Sequence, residues 1–409
     1  MRPAVHFTPA SGWINDPHGI TARDGGYDVF FQHVPDSTVW APNCHWGHAS
    51  GTDLLSLQER PVALKPGEGD DGIWTGCIVK DGSEARAFYT AVSTPDFGIG
   101  RVRVARPDDA SWDTWTKGDV VVTAPESLDL IAYRDPFIRK EGDRWRMFVG
   151  AAGRDGTAMA LTYVSEDLDA WDYDGVALER HTTERDPVWT GALWECPQVF
   201  TFDDRAVMVS SIWDADELHY AAYATGVFRD GRFDAQRWER LTWGPSLYAP
   251  SLFADKEGAP ALTFWLRGIG GDGWAGAHSI PYRLEATEDR LIARPHPDVA
   301  AHRTQRFDDG RVSGLAADIE WAAVDGPLRV ESGGKALLEL TRRGRELEVS
   351  AGEETVQIPV DGSVRIILDG PILEVCSDAG IFACALSPAG DDLAVIGEAD
   401  TCSVYGLAR

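Results

Sequence analysis

The sequence predicts an all-β chain, a five-bladed β-propeller followed by a β-sandwich. Three observations carry that expectation. Short apolar or alternating runs such as "GGYDVFFQHV", "ARAFYTAV", "GDRWRMFVGAA", "AMALTYVSED" and "RAVMVSSIW" recur between Gly, Asp and Pro signals, as strands do. Five polar or aromatic positions that open such runs, Asp16, Trp74, Asp135, Glu195 and Tyr248, are separated by 58, 61, 60 and 53 residues. A period of that length holds one four-stranded sheet with its loops, and five such sheets set radially bring their first strands to one axis. Finally, composition shifts late in the chain: of sixteen Trp, only Trp321 lies beyond Trp274.

The elements follow in order. Through the first three quarters, strand pairs are joined by tight turns, "DGG" at 24–26, "DGS" at 81–83 and "EGD" at 141–143. No long amphipathic helix pattern interrupts them. After "ARPHPDVAAHR" (293–303) the chain turns to alternating aliphatic strands, "PLRVES", "KALLELTRR", "RELEVSA", "SVRIILDG" and "ILEVCSDAGIFACALS". That pattern suits two antiparallel sheets packed face to face. The expected division is a propeller over 1–298 and a sandwich over 299–409, the latter serving packing.

The bulk numbers exclude several function classes. A net charge of −27 argues against nucleic acid or an anionic membrane as partner, since both need a basic face. No apolar run approaches the length of a membrane span, and no basic-then-apolar leader precedes the opening stretch. Six scattered cysteines form no CxxC pair and no metal-ligand spacing with histidine. The expectation is therefore a cytoplasmic protein with reduced thiols, no metal and no cofactor. Sixteen Trp suit flat amphipathic ligands such as sugar rings, although Trp also fills cores. A small sugar or oligosaccharide is the expected partner, and self-association is left open.

Three acids stand out by their setting. Asp16 lies in "WINDPHG", Asp135 in "YRDPFI" and Glu195 in "WECPQVF". Each is followed at once or one residue later by Pro, which restricts the backbone and aims the carboxylate. Two aimed carboxylates are what retaining glycoside hydrolysis needs, one as nucleophile and one as acid and then base, about 5–5.5 Å apart. A third acid beside Arg134 is expected to stay ionised and hold substrate hydroxyls. A second "RDP", Arg185 to Pro187, lies nine residues before Glu195 and opens no hairpin, so Asp186 reads as a loop residue.

"HFTPASGWINDPHGI", "YRDP" and "WECP" together resemble the three signature blocks of glycoside hydrolase family 32, the invertase, levanase and inulinase family. Residues 30–67, 71–79, 246–253, 273–284 and 372–386 also resemble family stretches, so the likeness covers nearly the whole chain. It implies the same propeller and sandwich. It further implies Asp16 as nucleophile on the anomeric carbon of a fructofuranosyl unit, Glu195 as acid and base, and Asp135 as transition-state stabiliser. Asn15, Gln32, Trp40, Trp74, Arg134, Tyr248 and Trp265 match positions that line the family's fructose pocket. Glu195 beside Trp194 is expected to hold its proton more tightly than usual, and Asp16 to stay ionised.

This chain departs from the family pattern at His18, usually Asn, and at Gln198, usually Asp. It departs again at Cys77, usually a small hydroxyl residue, and at Leu57, usually Trp. None removes a carboxylate, but His18 and Gln198 are expected to alter the support around Asp16 and Glu195. The leading expectation is a retaining β-fructosidase acting on terminal fructose of sucrose or fructans. The alternatives are a fructosyltransferase with the same residues and a carbohydrate-binding propeller that has lost catalysis. An arabinan-cleaving propeller is the fold-level rival, with inverting chemistry and more widely spaced carboxylates.

Overall fold

Residues 12–295 form five groups of antiparallel strands that succeed one another along the chain. In the first, Gly12–Arg23, Gly26–Val34, His45–Gly51 and Gln58–Leu64 pair in order. The same meander recurs from Gly72–Asp81 to Trp115–Thr123, from Leu130–Glu141 to Asp172–His181, and from Leu193–Phe202 to Arg232–Arg240. The fifth group runs from Leu247–Ala254 through Pro260–Gly271 and Trp274–His278 to Leu291–Pro295. Parallel pairing of Gly12 with Trp274 and Trp13 with Ala275 joins it to the first. The computed structural model describes residues 1–202, 205–287, 290–398 and 400–409. Among these the one α-helix is Pro297–Ala301, within the stretch where the sequence changes character.

The sheets stack face to face in chain order. Phe30 and Trp46 of the first share a core with Ile73 and Tyr89 of the second. Phe88 packs with Met147 and Tyr163 of the third, and Phe148 with Trp194 and Met208 of the fourth. Val207 and Tyr223 meet Leu262 and Phe264 of the fifth, whose Phe253 and Ala261 pack back on Ile14 and Phe31 of the first. Both faces of a middle strand are therefore covered. Trp145 to Gly153 is buried without a break, which explains why such strands read as apolar runs rather than clean alternation.

The first strand of every sheet is interrupted at an equivalent point. Register shifts fall between Ile14 and Pro17, Trp74 and Gly76, Arg134 and Phe137, Glu195 and Gln198, and Tyr248 and Ser251. In four of them a Pro sits in the irregularity or bounds it, where its missing N–H is not needed by the ladder. Asp135, Cys196 and Ala249, each just before Pro, have φ of 66°, 51° and 47°. A bulge of this kind re-aims the neighbouring side chain. The near-regular spacing seen in the sequence marks these bulges.

Beyond Thr242–Trp243, which pairs with Gly380–Ala385, the late strands form two facing sheets, one holding Ala316–Trp321 and Val364–Asp369, the other Gly326–Ser332 and Lys335–Arg343. Ile319, Ile366 and Val375 from one side and Leu328, Leu340 and Val349 from the other share their core. This assembly is tied to the rest by a buried ionic knot. His6 Nδ1 lies 2.8 Å from Asp369 Oδ2 and its Nε2 2.7 Å from Glu374 Oε1. Val5 and His6 donate their backbone N–H to Asp369, and Tyr282 donates its hydroxyl to Glu374 at 2.5 Å. Burial alone would lower the basicity of His6; the two carboxylates outweigh it and raise the value to about 9.

A folded value above the unfolded 6.5 means that this contribution is fully present below pH 6.5 and lost as pH rises through about 9. The shift corresponds to about 3 kcal/mol. Thermal denaturation between pH 6 and 10 should show a fall in Tm over that window. His6→Gln should be less stable at pH 6 and lack that fall; equal slopes in the two proteins would refute the assignment.

Candidate active site

The five interrupted strands point their re-aimed side chains at one place, where Asp16, Asp135 and Glu195 meet. Asp16 Oδ2 accepts from Thr75 Oγ1 at 2.7 Å and from Gln32 Nε2 at 3.1 Å. Its Oδ1 accepts from Asn15 Nδ2 at 3.0 Å, and Asn15 Oδ1 in turn accepts from Trp13 Nε1. Asp135 Oδ2 accepts the backbone N–H of Cys196 at 2.9 Å, and the Asp135 N–H is held by Thr90 Oγ1 at 2.8 Å. Cys196 Sγ lies 3.8 Å from Asp16 Oδ2 and 3.6 Å from Asp135 Oδ2, so one thiol touches two of the acids. Glu195 Oε1 is gripped by Arg134 Nε and Nη2 at 3.0 and 2.9 Å, and its Oε2 accepts from Tyr248 Oη at 2.5 Å.

This geometry bears on two electrostatic expectations. Asp16 does not keep ordinary acidity: burial first, then the charge of Glu195, raise its carboxyl, against the pull of Thr75 and Asn15. Asp135 is raised as well, by burial and then Glu195, more than Arg134 lowers it. Arg134 was expected to serve Asp135, its sequence neighbour, and substrate hydroxyls. The bulge between Arg134 and Phe137 parts the two side chains, and the guanidinium goes to Glu195 from the next sheet. Like charges crowded in a dry site share protons among the group, which suits acid–base work.

The other expected residues are also here. Trp74 is buried with its indole bonded to the Pro42 carbonyl, and the Arg134 guanidinium stacks over it at 5.8 Å. Trp265 meets Trp13 edge-on at 5.5 Å and Tyr248 at 6.4 Å. Trp40, 38% exposed, stands farther out against Trp74 and Phe97. Gln32 Oε1 and Trp265 Nε1 are buried without a protein partner. Buried polar atoms are rarely left so; both atoms keep unused hydrogen-bonding capacity beside the carboxylates. Sequence reasoning missed Thr75, Thr90 and Phe97. Thr75 had a signal, since it directly follows Trp74, one of the five regularly spaced positions; Thr90 and Phe97 had none.

The departures are also placed. Both ring nitrogens of His18 lack partners, its ring lies 4.3 Å from that of Trp46, and burial lowers its value to about 3. It is a neutral packing residue that makes no bond to the Asp16 carboxylate. Cys77 is buried between the second and third sheets. Gln198 Oε1 accepts from Leu252 N at 2.6 Å while its Nε2 donates to the Pro250 carbonyl at 2.5 Å, joining two first strands that share no ladder. Asp186 is exposed in the connection before Leu193–Phe202, and its carbonyl accepts from Arg180, as a loop residue should.

A carboxylate trio under aromatic walls defines the class as a candidate carbohydrate-processing site. Residues 6–295 match the family described as glycosyl hydrolases family 32 N-terminal domain, and the chain belongs to that family. A sucrose-6-phosphate hydrolase of Escherichia coli is 30% identical over 325 residues, 74% of this chain and 66% of that protein. A levanase of Bacillus subtilis is 33% identical over 210 residues, 49% of this chain and 29% of the relative. The chain thus spans about two thirds or less of the relatives' length. A solved Bombyx mori family 32 β-fructofuranosidase mutant in complex with sucrose superposes with a TM-score of 0.85 at 24% identity. That match covers 100% of this chain and 94% of the other, and it supports the all-β fold.

Hydrogen bonds to a charged group contribute about 1.5–3 kcal/mol. Thr75→Val removes one from Asp16 without touching the core, so kcat/KM on any accepted substrate should fall roughly tenfold to a hundredfold with Tm nearly unchanged. Unaltered kinetics would show that Thr75 does not support Asp16. Gln198→Leu strands the Leu252 N–H and the Pro250 carbonyl and should lower Tm instead.

Proposed function

We propose that the chain is a β-fructosidase that removes terminal fructofuranosyl units from sucrose or fructans. The observation that carries this reading is the convergence of Asp16, Asp135 and Glu195, each with its own hydrogen-bond support, at the interrupted strands. The five face-packed sheets read as five propeller blades over 1–298, with the late pair of sheets, 299–409, as a sandwich. Family membership and the named activities of the relatives support the substrate class.

In the proposed double displacement, Asp16 attacks the anomeric carbon as Glu195 gives its proton to the departing glycosidic oxygen. The C–O bond to the leaving sugar breaks, and a fructosyl ester forms on Asp16. Glu195, now a carboxylate, takes a proton from water, whose oxygen displaces Asp16 and restores both groups. Asp135 contributes by holding fructose hydroxyls more tightly in the transition state. Arg134 and Tyr248 orient Glu195 between its two roles. A sugar replacing water in the second step gives the transferase reading. The pocket needs no cofactor for this chemistry. Six unpaired cysteines support a reducing, cytoplasmic setting.

The test is fructose release from sucrose, inulin and levan in parallel. Asp16→Asn and Glu195→Gln should each lose nearly all turnover with the fold intact, and Asp135→Asn should lose most of it. Asp186→Asn should be close to silent. Full activity in Asp16→Asn or Glu195→Gln would overturn the role assignment, and longer saccharides at high sucrose would move the reading to transfer.

A further inference from the structure

The relatives leave one chemical choice open, whether the sugar arriving at the carboxylates bears a phosphate. In sucrose 6-phosphate the dianion sits on the glucosyl unit. With fructose at the carboxylates, that group would lie outward, at the mouth. The mouth can be located from strand order. Asp16, Asp135 and Glu195 lie in the first halves of their strands. In an antiparallel meander, the connection between second and third strands returns to that same end. So does the connection leading to the next sheet.

Each of the five sheets brings an exposed carboxylate to that end on its second connection: Asp36, Asp96, Asp155, Asp216 and Asp272. Among the described residues none of the five is in a salt bridge. The connections 65–71, 124–129 and 182–192 each add at least two more acids. The cations nearby are mostly committed. Arg134 is held by Glu195, and Arg154 pairs with Asp129 at 3.2 Å. Arg267 donates to the carbonyls of Leu218 and His219 while stacking over Tyr248 at 4.9 Å. His33 and His45 are lowered by burial and stand neutral. Lys65 and Arg185 are the exposed bases left on these connections, and Arg185 lies over Trp189.

Recognition of a phosphate needs uncommitted Arg or Lys, in a fork or a cluster; among the described residues of these connections Lys65 and Arg185 stand singly, on the connections that follow the first and third sheets. A ring of acids around apolar walls instead focuses a negative potential that disfavours a dianion and leaves a neutral sugar unaffected. The outer wall formed by Trp40 and Phe97, with exposed Val39, Ile99 and Ile131 beside it, offers flat apolar surface of the kind a neutral sugar ring covers.

Resting on the fructosidase reading, we infer that this site selects uncharged fructosides and rejects phosphorylated ones, although a curated relative is a sucrose-6-phosphate hydrolase. The experiment compares kcat/KM for sucrose and sucrose 6-phosphate on the full chain from low to high NaCl. Sucrose should be favoured more than about tenfold at low salt, and the preference should narrow as salt screens the mouth. Asp96→Lys with Asp272→Lys should raise kcat/KM for sucrose 6-phosphate several-fold and leave that for sucrose unchanged. Equal or better use of the phosphate ester at low salt, or a preference indifferent to salt and to the double variant, overturns the inference. If neither sugar nor any fructan is cleaved, the hydrolase reading fails by itself. Calorimetric binding of the two sugars then decides the selection, with tighter binding of the phosphate ester counting against it.

Discussion

Everything at the site depends on an interruption of the ladder in the first strand of each sheet. A regular strand would send Asp135 and its neighbours alternately into the packed faces between sheets, where no substrate reaches. Instead, a residue forced to positive φ before Pro136, Pro197 and Pro250 turns the chain locally and aims a side chain toward the place where the three acids meet. Proline suits these places because the ladder asks no N–H of it there. Gln198 then bridges the gap that the interruption opens between the fourth and fifth sheets. The same device that exposes the acids thus leaves backbone groups in need of partners, and nearby side chains supply them.

Crowding three carboxylates is unfavourable for the folded protein and useful for chemistry. Burial and mutual repulsion raise Asp16 and Asp135, while Thr75, Asn15 and the Cys196 N–H draw them back down. The outcome for both Asp16 and Asp135 is a carboxyl that gives up its proton less readily than an exposed one. The Cys196 thiol is a compact neighbour in this respect. Burial and the surrounding acids push it well above its usual value, so it stays an uncharged filler between Asp16 and Asp135.

The late pair of sheets supplies none of the side chains described at the carboxylates, but it is not loosely appended. His6 carries the opening segment onto Asp369 and Glu374, and Arg409 reaches back to the His6 carbonyl. The strand Gly12–Arg23, which bears Asp16, begins only six residues after His6. Anchoring the opening segment in this way limits how far the strand bearing the proposed nucleophile can drift.

Much of this was legible in the sequence because it is written locally. Strand periodicity, turn glycines and the Pro that follows each acid are short-range features, and the spacing of the acids follows the interrupted strands. The identities of Asp16, Asp135 and Glu195 as a set could be read from those contexts and from the family resemblance. What tertiary structure alone decided is which charges meet. Arg134 and Asp135 are adjacent in sequence yet serve different partners, because a bulge separates their directions. Thr75 and Thr90 became supports through contacts between sheets, as did the His6 knot with residues more than 360 positions away. His18, suspicious in sequence, proved a neutral ring packed on Trp46. A carboxylate's chemistry depends on distances of a few ångströms and on how dry its surroundings are. Those are set only when strands far apart in the chain close around it.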